Sequence, residues 1–228
     1  MEDHEARRQR RRDAAFSEEA EMFARTTAIQ AEPASIDAGV GNVRDVVMPA
    51  LEELDGYVGL SMLADRSTGR CIVTSAWESA DALRTSADKV HELRDRAAQI
   101  FGGGRPDVDQ WEIAVLHRER ASADGACARV TWVQVDPAQM DAGIEMFKTT
   151  ALPALEELDG LCSVSLMVDR RSGRGVSSAV YESAEAMERN REQIERIKDS
   201  ATQASGAQVL DEHDFEVMIA HLRVPELI

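Results

Sequence analysis

The chain has 228 residues, of which 43% are hydrophobic and 30% charged, a balance typical of a folded protein and not of a disordered one. Its formal net charge of -16 argues against nucleic-acid binding, which usually requires a basic surface. No apolar run reaches the roughly 20 residues needed to cross a membrane, and no apolar stretch follows the basic N-terminus as in a secretory signal. We therefore expect a cytoplasmic protein without membrane contact.

The N-terminal segment, residues 1–21, is dense in charge. It contains a basic cluster made of Arg7, Arg8, Arg10, Arg11 and Arg12. Such a cluster could touch an acidic partner or a membrane surface, but acidic residues on both sides offset its charge. We interpret the segment as a flexible or helical tail outside the folded units.

The rest of the chain consists of two copies of one sequence. MPALEELDG begins at Met48 and LPALEELDG begins at Leu152, and the offset of 104 positions then continues without a gap. Self-similarity over this length indicates a tandem duplication. It predicts a first repeat over 22–118, a linker over 119–125, a second repeat over 126–222 and a short tail over 223–228.

Each repeat begins with a strand and a helix. Residues 129–135 carry the β-branched and aromatic side chains of a strand, and residues 25–31 are their counterpart. From Ile36 the apolar side chains recur at helical spacing, which predicts an amphipathic helix packed on a sheet. Pro49 should kink or restart this helix because proline lacks an amide donor, and Gly56 should end it.

A hairpin follows the first helix. Strands are predicted over 57–64 and 70–77, since Asp65 and Gly69 between them are typical residues of a short turn. The two strands should therefore pair antiparallel.

A second helix and a last strand complete the repeat. Ser79 is a candidate N-cap for one helix that runs to about Ile100. The last strand, 110–116, alternates in character, with Trp111 on one face. His117, just beyond the strand, is expected on the same face.

The order of elements is β-α-β-β-α-β, the ferredoxin-like α+β arrangement, in which a four-stranded antiparallel sheet carries both helices on one face. The other face of such a sheet would expose several hundred Å² of partly apolar surface, which is typical of an interface. Two repeats in one chain can cover these faces by packing sheet to sheet. We predict an intramolecular dimeric α+β barrel with pseudo-twofold symmetry.

The succession of a helix, Leu-Asp-Gly, a strand, Asp-x-x-x-Gly, a strand and Trp-Glu-Ser-x-x-Ala resembles the antibiotic-biosynthesis monooxygenase-like group of dimeric α+β barrels. The resemblance covers both copies, residues 22–118 and 126–222. It implies the barrel fold. Members of the superfamily include cofactor-free oxygenases of aromatic polyketides or quinols, haem-degrading enzymes and proteins with no assigned activity, so the resemblance does not choose a function.

Haem binding or degradation fits this sequence less well. The haem-degrading members carry a tryptophan in the second helix and, further along, a histidine that binds iron. Here residues 83–87 contain no aromatic side chain, and the helix histidine His91 is replaced by Glu195 in the second copy. We therefore expect no haem and no other cofactor.

Two aromatic side chains occupy the same place in the two copies, at the end of the third strand. Trp77 and Tyr181 would wall an apolar pocket and offer an N–H or O–H group to the oxygen of a ligand. The alternative is that both are large core residues at a strand-to-helix corner. Sites built on the two side chains would differ chemically.

His117 and His221 also match in position, at the end of the fourth strand, on the face predicted for Trp111 or Phe215. A neutral imidazole can take a proton from a phenol or quinol, the step that precedes oxygen addition in cofactor-free oxygenases. A structural role at the strand end is the alternative. No Asp or Glu at ligand spacing accompanies either histidine, so no metal is predicted.

Two functional hypotheses follow. In the first, the barrel binds a small apolar or aromatic molecule, in a closed cavity with a polar group, and acts as a cofactor-independent monooxygenase. Its catalytic residues would be His117 and His221, and its ligand-binding residues Trp77, Tyr181, Trp111 and Phe215. In the second, the same fold serves non-catalytic binding, assembly or stress-related interaction, and its cavities are filled by Met, Leu and Ile. Neither hypothesis needs nucleic acid or a membrane, and a homo-oligomer of the internally paired chain is compatible with both.

Overall fold

The computed structural model describes residues 21–222 and residue 227, and the structural statements below refer to these residues. The predictions for the basic N-terminal tail and, apart from Leu227, for the C-terminal tail lie outside them. The eight described strands are β1 Met22–Gln30, β2 Tyr57–Ala64, β3 Arg70–Trp77, β4 Asp107–Arg118, β5 Cys127–Gln134, β6 Leu161–Asp169, β7 Arg174–Tyr181 and β8 Gln208–Leu222.

The helices follow the same order in both repeats. They are α1 Ile36–Asn42, α2 Met48–Glu52, α3 Ala80–Thr85, α4 Ala87–Ile100, α5 Met140–Met146, α6 Leu152–Glu156, α7 Ala184–Arg189 and α8 Arg191–Ser205. Short π-helical turns, Val43–Val47 and Phe147–Ala151, join α1 to α2 and α5 to α6. Within the described part of the chain, none of the helices combines the length and the apolar character that a membrane crossing requires.

The strands close into one antiparallel barrel in the order β1-β3-β2-β8-β5-β7-β6-β4. Each repeat contributes one ferredoxin-like sheet, ordered β4-β1-β3-β2 in the first repeat and β8-β5-β7-β6 in the second. The sheets join at both edges, where β2 pairs with β8 and β4 pairs with β6. Closure leaves no free edge among the described strands, which explains why the two repeats need each other. The predicted intramolecular barrel is confirmed.

The first helix of each repeat is interrupted at the predicted proline. Pro49 stands in the first turn of α2, directly behind the π-helical turn Val43–Val47. Proline has no amide hydrogen and its ring needs room against the preceding turn, so a wider turn accommodates it. Pro153 follows Phe147–Ala151 in the same way. Gly56 then has a φ of +75°, the left-handed conformation predicted for it.

The second helix of each repeat is broken, so the prediction of one continuous helix was wrong. Ser79 caps its start as expected, since its Oγ accepts the Ala82 amide at 3.1 Å. The break in the first repeat falls at Ser86, whose Oγ donates to the Leu83 carbonyl at 2.8 Å. Asn190 stands at the break in the second repeat. Short polar side chains that bond to the local backbone compete with helix continuation.

A β-bulge in β4 corrects the predicted alternation of faces. The register of β4 against β6 shifts between Ile113 and Val115. Trp111, Ile113 and, after the bulge, Leu116 belong to the core inside the barrel, whereas Val115 packs under the helices. The prediction that His117 shares a face with Trp111 is therefore wrong, because one extra residue moves the later side chains to the opposite face.

The buried side chains form three separate cores. One lies inside the barrel between the two sheets and contains Trp111 and Phe215. The other two lie outside the barrel, one beneath the helices of each repeat, and contain Trp77 in the first repeat and Tyr181 in the second. A ligand can thus be sought in three compartments.

Candidate functional site

A cavity of about 130 Å³ lies between the sheet of the second repeat and its helices. We call it the second-repeat pocket. Its apolar walls include Met140, Ile144, Phe147, Leu155, Val164 and Leu166. For scale, an engineered apolar cavity of roughly 150 Å³ in another protein takes up benzene. The second-repeat pocket therefore has the size and the lining to hold a small ring system.

In the first repeat, Phe101 occupies the corresponding place. Its side chain is fully buried, and its ring atoms lie 2.0–2.4 Å from the position that a Cβ on Gly39 would take. The counterpart of Phe101 is Ser205, which lines the second-repeat pocket. Apart from its chain neighbours and the backbone of its own helix, no described atom lies within 4 Å of the Cβ position of Gly143, the counterpart of Gly39. The pocket is open because a serine stands where the first repeat has a phenylalanine.

A network of charged groups borders the second-repeat pocket. Lys198 Nζ lies 2.5 Å from Glu195 Oε2 and 2.9 Å from Glu212 Oε2. Thr131 Oγ1 donates to Glu212 Oε2 at 3.1 Å, and Arg129 Nη1 lies 3.3 Å from Glu195 Oε1. Burial works to lower the pKa of Lys198, but its hydrogen bonds to the two glutamates raise that pKa overall, so the amine is cationic at neutral pH.

The charged network is absent from the first repeat. The counterparts of Glu195, Glu212 and Asp214 are His91, Val108 and Gln110. Arg129 is held by Asp214 in a bidentate pair of 2.7 and 2.8 Å, and this hydrogen bonding raises its pKa. Arg25, its counterpart, donates to the neutral Ser86 Oγ, and burial lowers its pKa. The second repeat therefore has both the open pocket and the charged network that borders it, and within its described residues the first repeat has neither.

A second cavity, of about 600 Å³, lies inside the barrel and is lined from all eight strands and from the linker. We call it the barrel cavity. Trp111 and Trp132 both line it, and Trp111 Nε1 donates to Thr26 Oγ1 at 2.8 Å. Phe215 is buried beside Trp132, with ring centroids 6.4 Å apart. Of the predicted ligand-binding residues, Trp111 lines the barrel cavity. Trp77, Tyr181 and Phe215 line neither of the two cavities described here.

Trp77 and Tyr181 are fully buried beneath the helices, and neither lines the two cavities described above. Trp77 Nε1 donates to Ser75 Oγ at 3.1 Å, and Tyr57 packs edge-on against the indole. The Tyr181 hydroxyl has no hydrogen-bond partner among the described residues, and burial raises its pKa. Both placements suit core residues, and ligand contact by either side chain stays a prediction.

His117 and His221 lie outside the barrel, near the ends of helices. His117 Nε2 is 2.8 Å from Glu119 Oε1 and 3.2 Å from Glu156 Oε1, and His221 Nε2 is 3.9 Å from Glu52 Oε1. Neither histidine lines the second-repeat pocket or the barrel cavity. Their role as catalytic bases stays a prediction. Their positions outside both cavities do not support it.

His117, Glu119 and Glu156 form a group whose potential metal-ligand atoms lie within 4.8 Å of one another. The sequence argument against a metal assumed that no carboxylate accompanies this histidine. That assumption was wrong, because the barrel brings Glu156 of α6 to the end of β4. The hydrogen bond between His117 Nε2 and Glu119 Oε1 accounts for the group without a metal, and we assign none.

Sequence reasoning missed the residues that make the second-repeat pocket, namely Ser205, Lys198, Glu212 and Thr131. The available signal was the substitution of Phe101 by Ser205 between the copies. Its meaning depended on the closeness of Phe101 to Gly39, two residues far apart in the chain. Trp132 was missed because its counterpart, Ala28, is small and the comparison of repeats therefore did not single out this position.

No protein-family model matches the sequence. Two proteins of Mycobacterium tuberculosis are similar to it over most of their length. The uncharacterized protein Rv2557 is 54% identical over 207 residues, which cover 91% of this chain and 92% of that protein. The uncharacterized protein Rv2558 is 50% identical over 208 residues, which cover 91% of this chain and 88% of that protein.

Solved structures share the fold at low identity. An anthrone oxidase-like protein has a TM-score of 0.63 and 13% identity, covering 92% of this chain and 96% of its own. A candidate monooxygenase from Fusobacterium nucleatum has a TM-score of 0.62 and 14% identity, covering 92% of this chain and 98% of its own. Similarity at this identity indicates the fold and not the activity. The chain belongs to the same family as Rv2557 and Rv2558, and its fold is the dimeric α+β barrel of the antibiotic-biosynthesis monooxygenase-like proteins, formed here within one polypeptide.

Proposed function

We propose that the chain binds one small, planar, mostly apolar molecule in the second-repeat pocket, with a polar group of that molecule directed to Lys198 and Glu212. The observation that carries this proposal is the open space at Ser205, where the first repeat is filled by Phe101. Loss of one large side chain at a matched position creates room without any change in the surrounding fold.

The lining specifies the chemistry of the ligand. A pocket of about 130 Å³, slightly smaller than the roughly 150 Å³ cavity that takes up benzene, accommodates one ring, and its walls are mainly aliphatic, with Phe147 as an aromatic surface. Lys198, Glu212 and Thr131 at the border can exchange hydrogen bonds with a hydroxyl or carbonyl group. A phenol, a quinol or a similar cyclic enol satisfies both requirements.

Cofactor-independent oxygenation is the reaction that this ligand class suggests. Glu212, oriented by Thr131 and Lys198, is placed to accept a proton from a bound phenol or enol, and the Lys198 ammonium stabilises the oxyanion that results. The ring carbanion would then form a C–O bond with O₂ to give a hydroperoxide, and cleavage of its O–O bond with loss of one water would leave a carbonyl at the carbon that is a CH₂ group in the keto tautomer of the ligand. An anthrone oxidase-like protein shares this fold, which adds modest support.

Non-catalytic binding is the second candidate. Two observations favour it: the first repeat has a filled interior, with Ile36, Leu60 and Met62 fully buried, and neither predicted histidine reaches the second-repeat pocket. A ligand held without turnover would make the chain a carrier or a sensor of the same class of molecule.

The test of binding is Ser205→Phe, which copies the first repeat into the second. We expect at least about a 100-fold loss of affinity for phenol, measured by isothermal titration calorimetry, because the phenylalanine ring and the ligand need the same space. Ser200→Phe, at an exposed position of α8, adds the same ring outside the pocket and should leave affinity unchanged. Equal affinity in the two variants and the unaltered chain would refute the proposal.

The test of catalysis is oxygen consumption with the phenols and quinols that bind. Glu212→Gln should keep binding and lower the rate by about 100-fold or more, as expected for loss of a general base. If the unaltered chain binds these molecules and consumes no oxygen, the non-catalytic candidate is the correct one.

Two sequence predictions concern the surroundings of the chain. A cytoplasmic location and a homo-oligomer of the internally paired chain both stay predictions. Size-exclusion chromatography with light scattering would report the oligomeric state, and cell fractionation would report the location. Small-molecule binding in the second-repeat pocket requires neither.

A further inference from the structure

The barrel cavity is larger than a packing defect. Protein interiors are packed as densely as organic crystals, and voids larger than one water molecule are few. The space between the two sheets measures about 600 Å³, within the roughly 300–1,000 Å³ typical of small-molecule sites. It lies on the opposite side of the sheets from the second-repeat pocket, so the two spaces are separate.

Two matched stacks of side chains form the aromatic walls of the barrel cavity. The guanidinium group of Arg70 lies 4.4 Å from the ring centroid of Trp132. Arg174, the counterpart of Arg70, lies 5.1 Å from the ring centroid of Trp111. All four side chains line the cavity, and the stacked cations hold both indoles in place. Aromatic walls held in this way favour a flat ligand.

The two arginines of these stacks bring no free charge into the cavity. Arg70 Nη1 lies 2.7 Å from Asp211 Oδ2, and Arg174 Nη1 lies 2.8 Å from Asp109 Oδ1. Each pair joins one repeat to the other, and its opposite charges offset each other. The stacks therefore offer aromatic surface with little net charge.

The other charged groups of the described lining are engaged or face solvent. Arg120 lies 3.3 Å from Glu182, and Arg118 is engaged in a contact of its own. Asp107, the remaining carboxylate of this lining, is exposed. A charged ligand group would thus find no free counter-charge in the described interior of the cavity, and burying it there would cost free energy.

Four hydroxyl groups in the middle of the barrel face the cavity. Ser61 on β2 stands opposite Thr74 on β3, and Ser165 on β6 stands opposite Ser178 on β7, so each repeat contributes a matched pair. All four residues line the cavity and are half-buried, and their side chains make no hydrogen bond to another described residue. These hydroxyls can donate to and accept from a polar group of a ligand.

From this lining we infer that the barrel cavity is a second binding site, for an uncharged, flat molecule of several fused rings that carries a hydroxyl or carbonyl group. The rings lie against Trp111 and Trp132, and the polar group bonds to the hydroxyls in the middle of the barrel. Both repeats contribute to each part of the site, so the site exists only where the two sheets are joined. It does not depend on the function proposed for the second-repeat pocket.

The probe is 1-pyrenemethanol, which has four fused rings and one uncharged hydroxyl. Its ring system is too large for the second-repeat pocket of about 130 Å³, so that pocket does not compete for it. We expect one probe per chain and energy transfer from tryptophan to pyrene, because Trp111 and Trp132 line the cavity. Failure of 1-pyrenemethanol to bind would overturn the inference.

Two charged analogues test the preference for an uncharged ligand. 1-Pyrenecarboxylate and 1-pyrenemethylammonium have the same rings with a negative or a positive group. Each should bind at least about tenfold more weakly than the alcohol, because its charge loses water and gains no free counter-charge. Binding of either analogue as tightly as the alcohol would contradict an uncharged ligand.

Two variants locate the probe, and near-ultraviolet circular dichroism reports whether each one folds. Ala28→Trp places a second indole at the counterpart of Trp132 and should abolish binding by filling the cavity.

The second variant removes the four hydroxyls and keeps the shape of the cavity. It combines Ser61→Ala, Thr74→Val, Ser165→Ala and Ser178→Ala. We expect it to fold, because the hydroxyls that it removes have no partner among the described residues. It should weaken 1-pyrenemethanol at least about fivefold and leave 1-methylpyrene, which has no hydroxyl, unaffected.

Ser205→Phe, which fills the second-repeat pocket, is the matched control and should leave binding of 1-pyrenemethanol unchanged. Loss of the probe in Ser205→Phe, or unchanged binding in the four-hydroxyl variant or in folded Ala28→Trp, would overturn the inference. Phenol should respond in the opposite way, with its binding lost in Ser205→Phe and kept in Ala28→Trp. Failure at one site is therefore distinguishable from failure at the other.

Discussion

The two repeats share a backbone and differ in what lies beneath their helices. In the first, the ring of Phe101 packs against Gly39 and closes the interior. In the second, Ser205 leaves that volume empty above Gly143, and Glu212, whose counterpart in the first repeat is Val108, lines the space. The comparison teaches that one inward-facing side chain decides whether this fold has a pocket, because the sheet and helices are positioned by other contacts.

The difference at Phe101 and Ser205 also affects how much each repeat contributes to stability. Burying a phenylalanine contributes about 1.5–3 kcal/mol to folding, a gain that the second repeat lacks at Ser205. Under the proposed function, the first repeat is the half with the better-filled interior and the second is the half that binds the ligand.

The largest effect is expected for Phe101→Ala. Removing this buried ring should lower the free energy of unfolding by about 3–5 kcal/mol and open a pocket in the first repeat. Urea unfolding measures the change in stability, and calorimetry should find a second phenol bound per chain. Ser205→Ala is the control with little expected cost, because Ser205 Oγ bonds within its own helix, to the Ala201 carbonyl at 2.8 Å. A small loss of stability in Phe101→Ala would mean that the ring does not hold the first repeat together.

A smaller effect separates the two matched glycines. Gly39→Ala should lower the free energy of unfolding by about 1–3 kcal/mol, because the new methyl group meets the ring of Phe101. Gly143→Ala should raise it by up to about 1 kcal/mol, because the space is open and alanine favours a helix. In the Phe101→Ala background the cost of Gly39→Ala should disappear, and its persistence would show that something other than the ring opposes the methyl group.

The smallest effects concern the matched aromatic residues Trp77 and Tyr181. Tyr181→Phe should keep the free energy of unfolding or raise it by about 1 kcal/mol, since it removes a buried hydroxyl without a hydrogen-bond partner among the described residues. Trp77→Phe should lower it by about 1–3 kcal/mol, because it leaves a gap and ends the bond to Ser75. Thermal unfolding of the two variants and the unaltered chain under the same conditions measures both changes in stability. A marked destabilisation by Tyr181→Phe would indicate that the hydroxyl has a role beyond packing.

Much of the fold could be predicted from residues whose chemistry acts locally. Pro49 cannot continue an ordinary helix, Gly56 adopts a left-handed turn, and Ser79 caps a helix, whatever surrounds them. The interior faces were harder to predict. The bulge in β4 moved His117 away from Trp111, and a bulge depends on how neighbouring strands fit together, which the alternation of one strand does not reveal.

The sequence by itself determined the duplication, the order of elements and the closed barrel, because repeated periodicity and turn chemistry are properties of neighbouring residues. Tertiary structure alone decided where the cavities lie and which side chains border them. Phe101 meets Gly39, Glu156 meets His117 and Arg70 meets Trp132 only after distant segments pack. The volume and the charge of a site depend on such contacts between residues that are distant in sequence. The spacing of residues along the chain therefore does not predict them.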